Sequence, residues 1–432
     1  MTKNKRPKAF KGGHAKQPTT PFLTEVLGPG LITGASDDDP SGIATYSQVG
    51  AQFGYDVGWT LIFSYPLMCA IQLISAEVGR VTGLGLAGNL RRNYPVWLLY
   101  SVVALLMVAN IINIGADLGA MGAALQILIG GRSIWYVAFF AVVSAGLEIF
   151  VRYSRYVSVL KWLTLSLFAY VATVFAVDVP WMKLGRDLIF PYISWTNAYI
   201  TAVVAVFGTT ISPYLFFWQA ESEVEQQREK RGPDSLIKTP ELARAELKRI
   251  KLDTYVGMFF SNLVALFIVV TTAATLNATG HTDINTSAEA AQALKPIAGE
   301  FAYLIFALGI IGTGLLALPV LAGSAAYALG ESLGWKVGLD HKPKRAIGFY
   351  TTIAAATGVG LILNATPIDP IKALFWSAVI NGVVAVPVMA MLMLMAGDSK
   401  IMGRYVIGQG LKTLGWSATA IMALVAIGMF LT

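Results

Sequence analysis

The stretch ASDDDPSG, Ala35–Gly42, sets three consecutive aspartates, a proline and a glycine inside a run, Phe22 to about Phe53, that otherwise reads as one hydrophobic helix. Proline cannot continue a helix and biases the residue before it away from helical geometry. The run therefore reads as one span broken in its middle. A second break, FGTTISPY (Phe207–Tyr214), interrupts a later apolar run in the same way. Five spans separate the start of one broken helix from the start of the other. An odd number of spans inverts the second copy, and paired Gly/Pro interruptions in corresponding helices point to a midplane site in a transporter built from inverted repeats.

Composition sets the class around those breaks. Of the 432 residues 55% are hydrophobic and only 13% charged, against about 25% charged in soluble domains. Spans need about 20 mainly apolar residues each, and eleven are read: 22–52, 57–80, 94–128, 133–151, 156–178, 194–220, 252–277, 298–333, 346–364, 370–396 and 411–431. The expected organisation is a polar cytoplasmic tail (1–20), a first repeat of spans 1–5 (21–180), a second of spans 6–10 (190–396), and span 11 (400–432). The polar segment 221–251 is expected as a cytoplasmic linker carrying a surface helix. With the N-terminus inside, 27 of the 32 Lys and Arg fall on the inner side, and only Arg132, Lys183, Arg186, Lys295 and Lys372 on the outer, as positively charged cytoplasmic loops require. Basic charge so dispersed forms no single nucleic-acid-binding face. The first apolar run is too long for a signal peptide and is read as a span. The lone Cys69 excludes an intrachain disulfide and is read as a small buried hydrophobe.

The breaks offer oxygen. Asp37, Asp38, Asp39 and Ser41 stand at the first, Thr209, Thr210 and Ser212 at the second, with freed main-chain carbonyls at both. A carboxylate near mid-membrane costs at least about 3 kcal/mol, and a bound cation is the simplest compensation. Oxygen-only ligands suit hard ions such as Mg²⁺, Ca²⁺ or Mn²⁺. Aspartate before Pro-Ser-Gly is also good turn chemistry, a role assigned here to Asp37, while Asp39 is assigned to the ion.

GPGLITGASDDDPSG and FGTTISPYLFFWQ resemble the first- and sixth-helix signatures of the Nramp divalent-metal transporters, which carry Asp-Pro-Gly-Asn and Met-Pro-His there. ADLGAMG on span three is similar to that family's Asp-x-x-Glu segment, and the resemblance covers nearly the whole chain. It implies an all-α multi-pass membrane protein of LeuT-like fold, two inverted five-helix repeats plus an eleventh helix, working by alternating access. It further implies that the carbonyls of Ser36 and Thr209 face the ion beside Asp39. The departures matter. The family's Asn falls at Gly42, its Met at Ser212, its first His at Tyr214 and its second at Gln219; its span-three Glu falls at Ala120, with Asp117 kept. Asn381 lies one turn beyond the polar metal-facing position of span ten. This pattern resembles the Nramp-related magnesium transporters.

A thioether favours transition metals, so its replacement by Ser212 points to Mg²⁺, with Mn²⁺ also admitted. Mg²⁺ keeps several waters and is usually held by one or two carboxylates; loss of the Asn and Met side chains is expected to leave room for them. The histidines, His14, His281 and His341, lie outside the spans, and Tyr214 and Gln219 do not titrate near neutrality. Transport is therefore expected to be uniport, driven by membrane potential, by a monomer in the plasma (inner) membrane, with divalent ions and lipid as its partners and no cofactor. The alternative is a proton-coupled importer of Mn²⁺ and other transition metals, using Asp117 or Glu148. A third reading, an intramembrane aspartyl hydrolase using Asp39 and Asp117, lacks its Gly-Asp and Tyr-Asp signatures on two spans.

Overall fold

The computed structural model describes residues 28–151, 165–231, 235–339, 341–366 and 369–432. Helices are the only extended regular structure among them, with no strand. The first span is two short helices, α1 (Pro29–Asp37) and α2 (Pro40–Phe53). Helical geometry stops at Asp38 (φ −81°, ψ 50°), and Asp39 is extended (φ −70°, ψ 172°). Pro40 enforces this: it disfavours a helical Asp39 yet, as the first residue of α2, arrives with its φ already set. The same logic operates at the second break. There α9 (Asn197–Thr210) ends at Ile211, and Pro213 starts α10 (Pro213–Arg231).

Between them run α3 (Trp59–Thr82), the short α4 (Leu86–Asn93), α5 (Val96–Ile129), α6 (Ser133–Phe150), α7 (Phe168–Ala176) and α8 (Trp181–Ile189). Then follow α11 (Ala243–Thr275), α12 (Ser287–Gln292), α13 (Ala302–Leu333), α14 (Ile347–Leu363), α15 (Pro370–Gly397) and α16 (Gln409–Leu431). Among the described residues, eight helical segments are long and apolar enough to cross a membrane unaided. They are α3, α5, α6, α9 with α10, and the segments that contain α11, α13, α15 and α16. The expected first span is the α1–α2 pair, and the ninth is the shorter α14. The first nine residues of the expected fifth span (156–164), with Lys161 and the preceding Arg152 and Arg155, lie outside the described residues, as does the N-terminal tail. After α7 the chain bends by 116° into α8, which exposes Trp181, Met182 and Ile189.

The segment 221–251 differs from a linker with a surface helix. Helix α10 runs on to Arg231 and α11 begins at Ala243, and Glu221 and Glu223 are buried. ESEVEQQREK is strong helix-forming sequence with no breaker before Gly232 and Pro233, so the helix continues.

The bundle centres on the two broken spans. Helix α11 packs along α1 and α2, α9 against α2 and α15, α10 against α3 and α13, and α5 against α13, α14 and α15. Lipid-like tails give helices no hydrophobic reason to associate, so close backbone approach through small residues matters. Two crossings depend on it. A Cβ on Gly34 of α1 would collide with the Gly257 backbone of α11, and one on Gly208 of α9 with the carbonyl of Ala378 on α15. Large apolar side chains such as Trp97, Phe139, Val142, Leu424 and Phe430 face outward, as a lipid-facing surface requires.

Candidate ion site at the two helix breaks

The three aspartates are all buried; Asp37 and Asp38 share one hydroxyl, and Asp39 has other partners. Asp37 Oδ2 accepts from Ser261 Oγ of α11 at 2.5 Å, and Asp38 Oδ1 from the same hydroxyl at 3.3 Å. The helix cap, assigned above to Asp37, is Asp39. Its Oδ1 accepts from the Gly42 amide at 2.8 Å and from Ser41 Oγ at 2.6 Å. Pro40 fixes α2 to begin one residue after Asp39, which puts that residue at the cap position.

The other oxygen of Asp39 faces neighbouring helices. Oδ2 accepts from Asn113 Nδ2 of α5 at 2.9 Å and from the Tyr214 hydroxyl of α10 at 3.3 Å. The same Tyr214 hydroxyl lies 3.2 Å from the main-chain carbonyl of Ser36. It therefore stands between the two oxygens that the resemblance assigned to an ion, sharing one proton across two long bonds.

At the second break Ser212 Oγ donates to the carbonyls of Gly208 (2.7 Å) and Thr209 (2.9 Å). It satisfies carbonyls that the end of α9 leaves without helical partners. Gly42 sits against this break: a Cβ there would meet Thr209 Oγ1 at 3.1 Å, Tyr46 Cε2 at 3.3 Å and the Asp37 carbonyl at 3.4 Å. The space expected from loss of an asparagine at Gly42 is thus closed in this conformation, because Thr209 and Tyr46 fill it. Asn381 lies on α15 where that helix crosses α9, 1% exposed, with neither side-chain atom hydrogen-bonded.

Asn113 was not anticipated. Its signal is present in the sequence: Asn110, Asn113 and Asp117 recur at i, i+3 and i+7 on an otherwise apolar span, which aligns them on one helix face. Asn110 bonds the Leu321 carbonyl and Ser324 of α13, whereas Asp117 is close enough to Asp39 and the Ser41 main chain to act on them electrostatically. Gln219 accepts from Thr33 Oγ1 at 2.5 Å and so joins α10 to α1. Glu148 stands apart on α6 with Ser144 3.4 Å away.

Four carboxylates are thus buried here, and Asp39 is the one that acts on each of the other three, Asp37, Asp38 and Asp117. Among the described residues none of the four pairs with a Lys or Arg. Nor do three or more His, Cys, Asp or Glu side chains converge so as to hold a metal ion. Oxygen atoms at hand around Asp39 are those of carboxylates, hydroxyls, an amide and main-chain carbonyls, all hard ligands.

A bundle of spanning helices around two facing unwound segments is an arrangement found in membrane transporters. The profile of the family described as "Natural resistance-associated macrophage protein-like" (Nramp) matches residues 30–432, and the chain belongs to that family. Among solved structures it is similar to a manganese transporter of Eremococcus coleocola in complex with an aromatic bis-isothiourea substituted compound. That match has 16% identity and a TM-score of 0.71, covering 97% of this chain and 88% of the other. It is also similar to a nucleobase-cation-symport-1 family transporter in a closed conformation with bromovinylhydantoin bound, at 14% identity and TM-score 0.59, covering 94% and 91%. The fold is therefore LeuT-like, and the chain is an integral membrane transporter of divalent metal ions.

Proposed function

We propose that this transporter carries Mg²⁺, and Mn²⁺ beside it, by alternating access and without proton coupling, as a member of the Nramp-related magnesium branch. The carrying observation is the cluster of buried carboxylates around Asp39 at the facing breaks, with no basic counter-charge among the described residues. Its chemistry asks for a cation, and the polar side-chain atoms at the two breaks, Asp37 to Ser41 and Thr209 to Ser212, are all oxygen, which asks for a hard one. Asp39 already has four hydrogen-bond donors, and the Tyr214 hydroxyl, the most weakly held, is the one an ion reaching Asp39 Oδ2 and the Ser36 carbonyl displaces. The resemblance adds the Thr209 carbonyl, Ser212, Gly42 and Asn381 to the proposed site. The protein acts as a monomer in the plasma (inner) membrane with its N-terminus in the cytoplasm, the two broken spans heading two inverted repeats (21–180 and 190–396).

The second reading is a proton-coupled importer of Mn²⁺ and other transition metals. Asp117, a carboxylate next to Asp39 with no ion-pair partner among the described residues, favours it. Uptake of Mn²⁺ into proteoliposomes carrying an internal pH dye separates the two. Competition by Mg²⁺ with unchanged internal pH is expected; acidification with uptake, or indifference to Mg²⁺, would overturn the proposal. In Ser212→Met the preference should move towards transition metals, as the thioether gains a place at the break.

A further inference from the structure

Well away from the aspartates, at the end of the bundle where Arg80, Arg91, Arg92 and Arg228 lie, α10 carries Glu221, Glu223 and Glu225. Glu221 and Glu225 are four residues apart and share a helix face; Glu223 looks the other way. Two of the three have donors. Glu223 is paired with Arg249 of α11. Glu225 accepts from the Tyr327 hydroxyl of α13 and from the Leu339 amide at 2.8 Å.

Glu221 has none. It is 1% exposed, and neither carboxylate oxygen meets a donor among the described residues. What it meets is another carboxyl group, that of Glu331 on α13, within hydrogen-bonding contact. Glu331 in turn accepts from the amides of Gly85 (2.9 Å) and Gly88 (2.6 Å), at the start of α4. Both carboxyl groups close on one point: a Cβ on Gly85 would collide with Glu221 Oε1 and lie 2.6 Å from Glu331 Oε2. Arg91, Arg92 and Arg228 line the pocket beside Glu331, and among the described residues none of them forms an ion pair with either carboxyl group. Arg228 acts on both groups through space, Glu225 adds negative charge, and Arg91 of α4 donates to the Glu331 main-chain carbonyl, not to its carboxylate.

Two carboxylates in contact, one of them fully buried, do not both stay ionised. Among the described residues no third acidic, histidine or cysteine ligand joins them to hold a metal ion. We infer that Glu221 and Glu331 form a proton-binding site, one shared proton lying between them, which latches the lower half of the second broken span (α10) to α4 and α13. The proton resides on Glu221, because the Gly85 and Gly88 amides favour negative charge on Glu331. Loss of that proton sets two buried charges against each other and releases α10. The site is separate from the aspartates, so the inference does not depend on which ion is carried.

Amide hydrogen exchange of the full-length protein in nanodiscs tests this, read over residues 84–93 and 216–228 and corrected for the intrinsic pH effect. If opening releases one proton, exchange should rise by about tenfold per pH unit once the opened pair has titrated. Glu221→Gln, whose amide donates to Glu331 without a proton, should flatten that slope. Glu223→Gln, which breaks the Arg249 pair on the opposite face, should keep it. A flat wild-type profile overturns the inference whether or not any variant folds, and so does a slope that persists in Glu221→Gln. Restoration of protection at high pH by Mg²⁺, in an Asp39→Asn background, would mean that the pair holds a cation, and overturns it too.

Discussion

Asp39 does two jobs with its two oxygens. Oδ1 caps α2, and Oδ2 is held by Asn113 and Tyr214 from other helices. Hydrogen bonds to a charged acceptor are worth about 1.5–3 kcal/mol each, which helps keep a carboxylate in a low-dielectric interior while no ion is bound. Asp39→Asn retains an oxygen for the cap but loses the charge, so ion uptake should fall to background while the protein remains folded, as read by uptake and by size-exclusion profile. The Tyr214 hydroxyl is the weakest of the four contacts at 3.3 Å, and it also covers the Ser36 carbonyl. Tyr214→Phe removes this competitor. At about 1.5 kcal/mol, the low end of the range for a charged acceptor given so long a bond, its loss converts to an affinity for Mn²⁺ about tenfold tighter, measurable by titration calorimetry. Weaker binding would show instead that the hydroxyl touches the ion or its water.

The broken helices need their free ends satisfied. At the start of α1 the Asp253 carboxylate of α11 accepts from the amides of Gly28 (2.9 Å), Gly30 (2.7 Å) and Leu31 (3.1 Å). This is an N-cap supplied from a distant helix, and it suits the positive end of the helix dipole. Arg249 lies 3.9 Å from Asp253 and is paired with Glu223 of α10, so one cluster joins α1, α10 and α11. Asp253→Ala leaves these amides without that acceptor and removes the charge that faces Arg249. The expected loss is about 2 kcal/mol or more, seen as a lower thermal midpoint in detergent, with the largest gain in amide exchange at residues 28–34. The cap escapes sequence reading because its partners are more than 220 residues apart, and an aspartate near the start of a spanning helix has many ordinary uses.

Across the whole bundle, an ion with two charges moves through the membrane field. It gains about 4–5 kcal/mol per 100 mV, from about 2.3 per charge, enough to concentrate the ion by about three orders of magnitude. An uncoupled carrier should therefore stop net accumulation when the potential is collapsed by valinomycin with equal K⁺ on both sides, and should respond little to an imposed pH gradient. Accumulation that follows the pH gradient at zero potential would favour the proton-coupled reading.

The sequence by itself determined that this chain lives in a membrane, that two of its spans are broken, and where. Apolar run length, the Asp39-Pro40 and Ser212-Pro213 dipeptides and the density of oxygen-bearing side chains are local properties, and local physics dictates their outcome. Only the tertiary structure decided that Tyr214 bridges Asp39 and Ser36, and that Asn113, Asp253 and Glu331 meet partners on other helices. Those contacts join residues 74 to 246 positions apart. Which polar groups meet depends on how helices cross at residues as small as Gly34, Gly208 and Gly257, and no spacing along one helix encodes the rotation of its neighbour.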